Sequence, residues 1–322
     1  MKILVTGGAG YIGSHMVHAL VRGDHQVVVV DDLSSGRRAA VHEKAIFIEG
    51  NVRDRPLVTK ALVDHGVEAI FHFASRIQVG ESVIDPHLYY RDNLSAGIEL
   101  VESALEAKVR YFILSSTAAV YGNPIRVPLD EEHPTAPVNP YGETKLAMEW
   151  MLASYARAYD FRYAALRYFN AAGADPEAGL GECHEPESHL IPLVIEAAMG
   201  KRPTITIYGE DYDTPDGTCL RDYIHVRDLA DAHLAGLTYL ARGGESGAFN
   251  LGTGVGHSVR EVIEVTKKVS KREIPVKIGE RRAGDPAERV ASPARAERLL
   301  GWKAKRGSLE EIVSDAWRWH SG

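Results

Sequence analysis

A chain of 322 residues exceeds the usual size of one hydrophobic core and predicts two lobes sharing an interface. Its 45% hydrophobic and 25% charged residues exclude disorder, coiled coil and fibre. A formal net charge of −7 excludes general attraction to nucleic acid or an anionic membrane, so any anionic ligand must be held by local arginines. In chain order, Ile3, Leu4 and Val5 form a short buried strand. It turns through Gly7, Gly8 and Gly10 into a helix that Gly13 lets pack on the sheet. Residues 26–30 supply a second strand ending at Asp31. Further apolar runs at 45–48, 69–72, 111–114 and 163–166 alternate with amphipathic segments. Such alternation predicts an α/β fold with a parallel, doubly wound sheet of the Rossmann type. Residues 173–188, rich in Gly, Pro and Glu, mark a boundary between a dinucleotide-binding domain (1–173) and a smaller C-terminal α/β substrate lobe (174–322). Helices are expected at 190–199 and 226–240, and a strand at 247–251 returns, with 224–251, to the first sheet. Helical segments at 294–300 and 308–319 close the chain, their Leu299, Ile312, Trp317 and Trp319 reading as core.

The glycine turn locates a cofactor. A helix N-terminus offers unpaired N–H groups and a positive dipole end to a diphosphate. Asp31 stands where a carboxylate accepts from the ribose 2′-OH of NAD and repels the extra phosphate of NADP, although Arg37 and Arg38 lie close behind. No metal is expected, because Cys183 and Cys219 form no metal-spaced cluster; two thiols in so long a chain suit a reducing compartment. With neither a basic, then apolar leader nor an apolar run of membrane-spanning length, the chain reads as cytoplasmic, with no membrane and no nucleic acid among its partners.

Chemistry concentrates at residues 139–145. Asn139 can cap a helix and Pro140 suits its first position, so Tyr141 and Lys145 fall four residues apart on one face. A phenol with a pKa of about 10 is a poor base at neutral pH. A nearby ammonium and a positive nicotinamide both favour phenolate, which makes Tyr141 a general acid/base. Ser115, Ser116 and Thr117 follow the strand ending at Leu114, at the carboxyl edge where doubly wound folds bind ligands. There Thr117 can share the proton with Tyr141.

In several segments the chain resembles the extended short-chain dehydrogenase/reductase family and, within it, the UDP-glucose 4-epimerases. They are 6–13 (TGGAGYIG), 79–82 (VGES), 115–122 (SSTAAVYG), 140–145 (PYGETK), 166–170 (LRYFN), 216–218 (DGT), 221–226 (RDYIHV) and 281–285 (RRAGD). The resemblance implies Tyr141 and Lys145 as the catalytic pair, with Thr117 for the family's frequent Ser. It implies contacts to NAD from Tyr11, Ile12, Asp31, Asp32, Leu33, Ser34, Ser35, Gly36, Asn51, Val52, Phe73, Ala74, Ser75, Asn93, Ser115 and Phe169. Two positions depart from the family pattern: Asn51 replaces an Asp near the adenine, and Ile77 a Lys reaching toward the cofactor ribose. Both are expected to loosen NAD retention.

Nucleotide-sugar contacts implied by the same resemblance are Asn170, His189, Leu190, Thr206, Ile207, Tyr208, Arg221, Arg282 and Asp285. Their chemistry is consistent with this: two guanidiniums can fork onto a diphosphate, Asp285 can hold a ribose hydroxyl, and Tyr208 with Ile207 can wall a uracil. His189 replaces a frequent Asn donor. Arg289 aligns with the position that gates the sugar pocket. A bulky Arg there should crowd a C2 acetamide, although it could also swing into solvent, so UDP-glucose and UDP-galactose are expected ahead of N-acetylhexosamine or pentose forms. A 4,6-dehydratase would need carboxylates beside Thr117, where Ala118 and Ala119 stand. A non-catalytic sensor would tolerate loss of Tyr141 or Lys145. The family usually pairs through helices of the NAD lobe, which points to segments 86–107 and 145–158 as a homodimer seam.

Overall fold

The computed structural model describes residues 1–282 and 284–322. The first half alternates strand and helix: β1 (Lys2–Thr6), α1 (Tyr11–Arg22), β2 (Gln26–Asp31), β3 (Ile46–Glu49), α2 (Arg55–His65) and β4 (Ala69–His72). Three helices follow, α3 (Val79–Ile84), α4 (Pro86–Tyr89) and α5 (Ala96–Glu106), before β5 (Tyr111–Thr117), α6 (Pro140–Ala158) and β6 (Arg162–Tyr168). Beyond these lie β7 (Asn170–Ala172), α7 (Leu190–Ala198), β8 (Ile205–Tyr208), β9 (Leu220–His225), α8 (Val226–Ala241) and β10 (Gly247–Leu251). The chain ends with β11 (Gly256–Ser258), α9 (Val259–Ser270), β12 (Val276–Gly279), β13 (Glu288–Arg289) and α10 (Leu309–Ser321).

Seven strands form one parallel sheet in the order β10-β6-β5-β4-β1-β2-β3, so the strand at 247–251 does return to the first sheet. Both faces are covered, which is why the strands are continuous apolar runs rather than alternating ones. Ile3, Val5, Val29, Phe71 and Ile113 face α1 and α8. Their neighbours Leu4, Val28, Ile70 and Phe112 face α2, α5 and α6 on the other side. After β3 the chain crosses back to place β4 beside β1, and a crevice opens beyond the carboxyl ends of those strands at this reversal.

A separate core joins α7, α9 and α10 to β8, through Ile191, Val194, Ile207, Val262, Ile312 and Val313. The smaller sheets, β11-β9-β13 with β7 on β9, and β12-β8, also belong to the later part of the chain. Two expected core positions differ. Leu299 is 36% exposed on the single turn 296–300. Trp319 is half-buried because its indole is polar as well as large: Nε1 donates to Glu182 O at 3.0 Å, and the Arg37 guanidinium lies 5.2 Å from the ring centroid. No helix among the described residues is long and apolar enough to cross a membrane.

Candidate functional site

The glycine turn is built to be approached closely. At Gly13 a Cβ would stand 2.1 Å from Gly7 O, and Gly7 itself adopts φ +71°, a region that disfavours side chains. A Cβ on Gly10 would meet nothing nearer than Gly7 O at 3.4 Å, so the turn is least crowded at this residue. Gly10 caps α1 without a side-chain hydrogen bond, which leaves the first-turn N–H groups of Tyr11, Ile12 and Gly13 available to an outside acceptor. This cradle fits a dinucleotide diphosphate.

Asp31 ties the turn to the end of β2. Its carboxylate accepts from Ala9 N and Leu33 N, both at 2.9 Å; burial pushes its pKa up against the pull of those bonds. Asn51 Nδ2 donates to Asp32 at 2.6 Å. Despite partial burial, bonds from Ser34 and Asn51 hold Asp32 below the usual carboxylate range. Asn51 thus forms part of the rim with Asp32, Ser34, Ser35 and Gly36, while Val52 is buried in the core. Arg38 stacks 4.5 Å from the Phe47 centroid, so neither it nor Arg37 projects freely. Across the crevice, Phe73 and Ala74 donate backbone N–H to Thr6 O, and Phe73 packs on His233 at 4.9 Å. Asn93 is 2% exposed and spends its amide on the Arg76 backbone and Thr144, bracing the loop that carries Ser75 and the 38% exposed Ile77.

The Tyr–Lys pair lies at the carboxyl end of β5. Asn139 Oδ1 accepts from Gly142 N at 2.9 Å and Pro140 begins α6, so the capping residues aim its first turn at the sheet edge. Tyr141 lies beside Thr117, whose hydroxyl pulls the phenol back down against burial and whose Oγ1 accepts from Ala119 N at 3.1 Å. Lys145 Nζ donates to Ser115 O at 2.8 Å. Burial pushes the Tyr141 phenol up and lowers Lys145 to about 7, with Glu149 opposing the latter. The protein's own groups therefore keep the Tyr141 phenol protonated and leave the Lys145 amine poised between its charged and neutral forms near pH 7. Phe169 packs beside this corner against Val120, Tyr121 and Leu146.

Behind the pair runs a buried polar network that sequence reasoning did not single out. Ser116 Oγ donates to Glu149 at 2.5 Å, Arg167 clamps Glu149 with its closest contact 2.6 Å, and Arg167 Nη1 reaches Tyr121 Oη at 2.8 Å. Tyr121 in turn donates to Asn250 Oδ1 at 2.7 Å. Each member comes from a different element, so no local spacing reveals it.

The later part of the chain brings four candidates together. Arg221 Nη2 lies 3.4 Å from Asp285, Arg282 Nε 3.3 Å from the same carboxylate, and the Arg282 guanidinium 4.5 Å from the Tyr208 ring centroid. Thr206 and the 42% exposed Tyr208 share the outer face of β8. Ile207 corrects the expectation of a uracil wall: side chains alternate along a strand, and at 2% exposure its own enters the core behind β8. Arg289 is held in place, which disfavours the alternative that it swings into solvent. Its Nη2 donates to Gly122 O at 3.1 Å, its Nε is buried without a partner, and burial with Arg221 nearby lowers it to about 10. Asn170 begins β7, and His189 caps α7, whose first residue is Leu190.

His189 belongs to a cluster with Glu182, His184 and Glu187. Burial opposes charge on both rings, yet the two carboxylates carry His184 up to about 9 and His189 up to about 10. The His184 ring stands edge-on to Tyr11 at 6.3 Å, and Tyr11 Oη donates to Gly173 O at 2.6 Å, so this loop touches the cofactor cradle.

Known proteins share these features. Residues 3–252 match the NAD dependent epimerase/dehydratase family. A UDP-glucose 4-epimerase of Halalkalibacterium halodurans is 49% identical over 320 residues, covering 99% of this chain and 96% of the relative. The fold superposes on a Brucella ovis UDP-glucose 4-epimerase in complex with NAD at a TM-score of 0.96, with 45% identity over 98% of this chain and 97% of the other. For the Bifidobacterium longum UDP-glucose 4-epimerase in complex with NAD+ and UDP the values are 0.93 and 37%, over 100% and 98%. Matched along almost its whole length, with the Tyr–Lys pair at the sheet edge and the glycine cradle beside it, the chain belongs to the NAD dependent epimerase/dehydratase family and, within it, to the UDP-glucose 4-epimerase family.

Proposed function

We propose that the protein interconverts UDP-glucose and UDP-galactose, inverting C4 through a transient 4-keto sugar while NAD stays bound. The observation that carries this reading is the placement of Tyr141 and Lys145 one turn apart on α6, against Thr117 and Ser115 at the end of β5, at the sheet edge that also bears the glycine cradle. Gly7, Gly10, Tyr11, Ile12 and Gly13 would hold the NAD diphosphate and Asp31 its adenosine ribose. Bound NAD supplies a reversible two-electron oxidant at C4, and its positive ring favours the phenolate that burial alone opposes. Tyr141 Oη then takes the C4 hydroxyl proton and later returns it, with Thr117 Oγ1 sharing the hydrogen bond. Lys145, fixed by Ser115 O, orients the nearer cofactor ribose and adds positive potential when charged.

Inversion requires the keto sugar to present its other face. The nucleotide must therefore be anchored firmly and the sugar loosely. Arg221 and Arg282 fork onto the diphosphate, Asp285 takes a ribose hydroxyl, and Tyr208 offers its ring to the uracil, while Asn170, His189, Leu190 and Thr206 line the approach. Arg289, held by Gly122, narrows the space for a C2 acetamide. A homodimer is part of the same reading. Val83, Ile84, Tyr90, Ile98 and Trp150 are exposed apolar side chains on α3, α5, α6 and the turn between α4 and α5, a surface that a second copy would cover. A cytoplasmic site of action suits its two free cysteines.

Purified protein given UDP-galactose and no added NAD should form UDP-glucose, followed by proton NMR of the C4 epimers. No conversion, with NAD added or not, would overturn the reading.

A further inference from the structure

Two imidazoles and two carboxylates converge in the loop between β7 and α7, and to three of them, Glu182, His184 and Glu187, the proposed reaction gives no role. Glu182 and Glu187 are buried, their side chains only 5% and 6% exposed, and His184 is 17% exposed. His189 Nδ1 lies 2.8 Å from Glu182 and 3.0 Å from Glu187. His184 Nδ1 lies 3.1 Å from Glu182 and 3.7 Å from Glu187. One donor atom from each of the four falls within 4.8 Å of all the others. Four ligands about 2.0–2.2 Å from a tetrahedral zinc stand roughly 3.4 Å apart, within the range these contacts span.

A set of ordinary ion pairs would leave each nitrogen aligned on an oxygen. Here it does not: His184 Nδ1 is shut off from solvent and makes no hydrogen bond, although a carboxylate oxygen is 3.1 Å away. That unpartnered nitrogen is one of four donor atoms that lie within 4.8 Å of one another. The surroundings hold the cluster in place. Trp319 Nε1 donates to Glu182 O, a Cβ on Gly181 would stand 2.3 Å from the Trp319 ring, and the two histidine rings lie 5.4 Å apart.

We propose that Glu182, His184, Glu187 and His189 form a binding site for one divalent transition metal of the zinc class. Two nitrogens and two carboxylate oxygens suit Zn2+ or Co2+ better than Mg2+ or Ca2+, which take all-oxygen sets. The four ligands lie within eight residues, so the ion staples this loop on itself between Tyr11 of the cofactor cradle and Trp319 of α10. Since the loop ends at the cap of α7, occupancy also fixes where His189 stands.

The test uses full-length, untagged protein, stripped with a chelator and then titrated with ZnCl2, with native mass spectrometry for stoichiometry. The expected result is one zinc per chain, with affinity falling by about 100-fold or more in His184→Ala. Zinc binding that is absent, or that persists unchanged in His184→Ala, overturns the proposal. Loading the wild-type protein with Co2+ gives a reading independent of whether the variant folds. A tetrahedral visible spectrum supports the site, and an octahedral one, typical of surface carboxylates, contradicts it.

Discussion

The two sides of the crevice are built on opposite principles. On the cofactor side nearly every polar group is already committed: Asp31 to two backbone N–H groups, Lys145 to Ser115 O, Asn93 to Arg76 and Thr144. On the side proposed for the nucleotide-sugar, part of the charge stays exposed, with the Arg282 side chain 63% and that of Asp285 31% accessible. The contrast teaches where rigidity serves the chemistry. A cofactor that is retained through the cycle needs a preorganised bed, whereas a sugar that must turn needs a grip confined to its nucleotide.

The largest effect that would break this division is on the rigid side. Tyr141→Phe removes the proposed general acid/base and should lower kcat by about 10²–10⁴-fold with NAD still bound, measured by steady-state rates and cofactor content of the purified variant. Arg167→Met should cost about 3–5 kcal/mol in thermal denaturation, because it leaves Glu149 buried without its cation behind β5. An equal loss for an exposed partner such as Arg282→Met would erase the proposed asymmetry.

Lys145 gives a pH signature. Its folded pKa is lowered to about 7, whereas an unfolded lysine stays near 10.5, so between those values the unfolded chain holds the extra proton. Stability of NAD-free protein should therefore rise with pH across that window, by at most about 1.4 kcal/mol per unit from this group, and Lys145→Met should flatten the slope in denaturant titrations. Smaller still, Ile77→Lys should slow NAD loss on dialysis by about tenfold if one cofactor ribose contact is regained. Arg289→Ala should raise turnover of UDP-N-acetylgalactosamine relative to UDP-galactose by a few-fold, up to about tenfold. An unchanged ratio would show that Arg289 does not gate.

What the sequence disclosed follows the same division. The glycine turn and the Tyr141–Lys145 pair are legible because local backbone geometry dictates their spacing. Ile207 misled because neighbouring residues on a strand face opposite ways, and only the packing of β8 on α7 and α9 decides which is wall and which is core. The Ser116–Glu149–Arg167–Tyr121 network joins residues from β5, α6, β6 and the turn after β5, so it has no local pattern. Cysteine spacing is silent about Glu182, His184, Glu187 and His189, although the sequence carries their one-, two- and one-residue gaps. Trp319 reads as core by its apolar mass, and only its neighbours Arg37 and Glu182 reveal a polar clamp.

The most direct measurement is the fate of deuterium placed at C4 of UDP-galactose, incubated in ordinary water with purified protein and no added NAD. Retained, reoriented at C4 of the product UDP-glucose, it would mean that oxidation and reduction use one cofactor molecule that never leaves the rigid bed, as the account predicts. Loss of the label to solvent during conversion would contradict it.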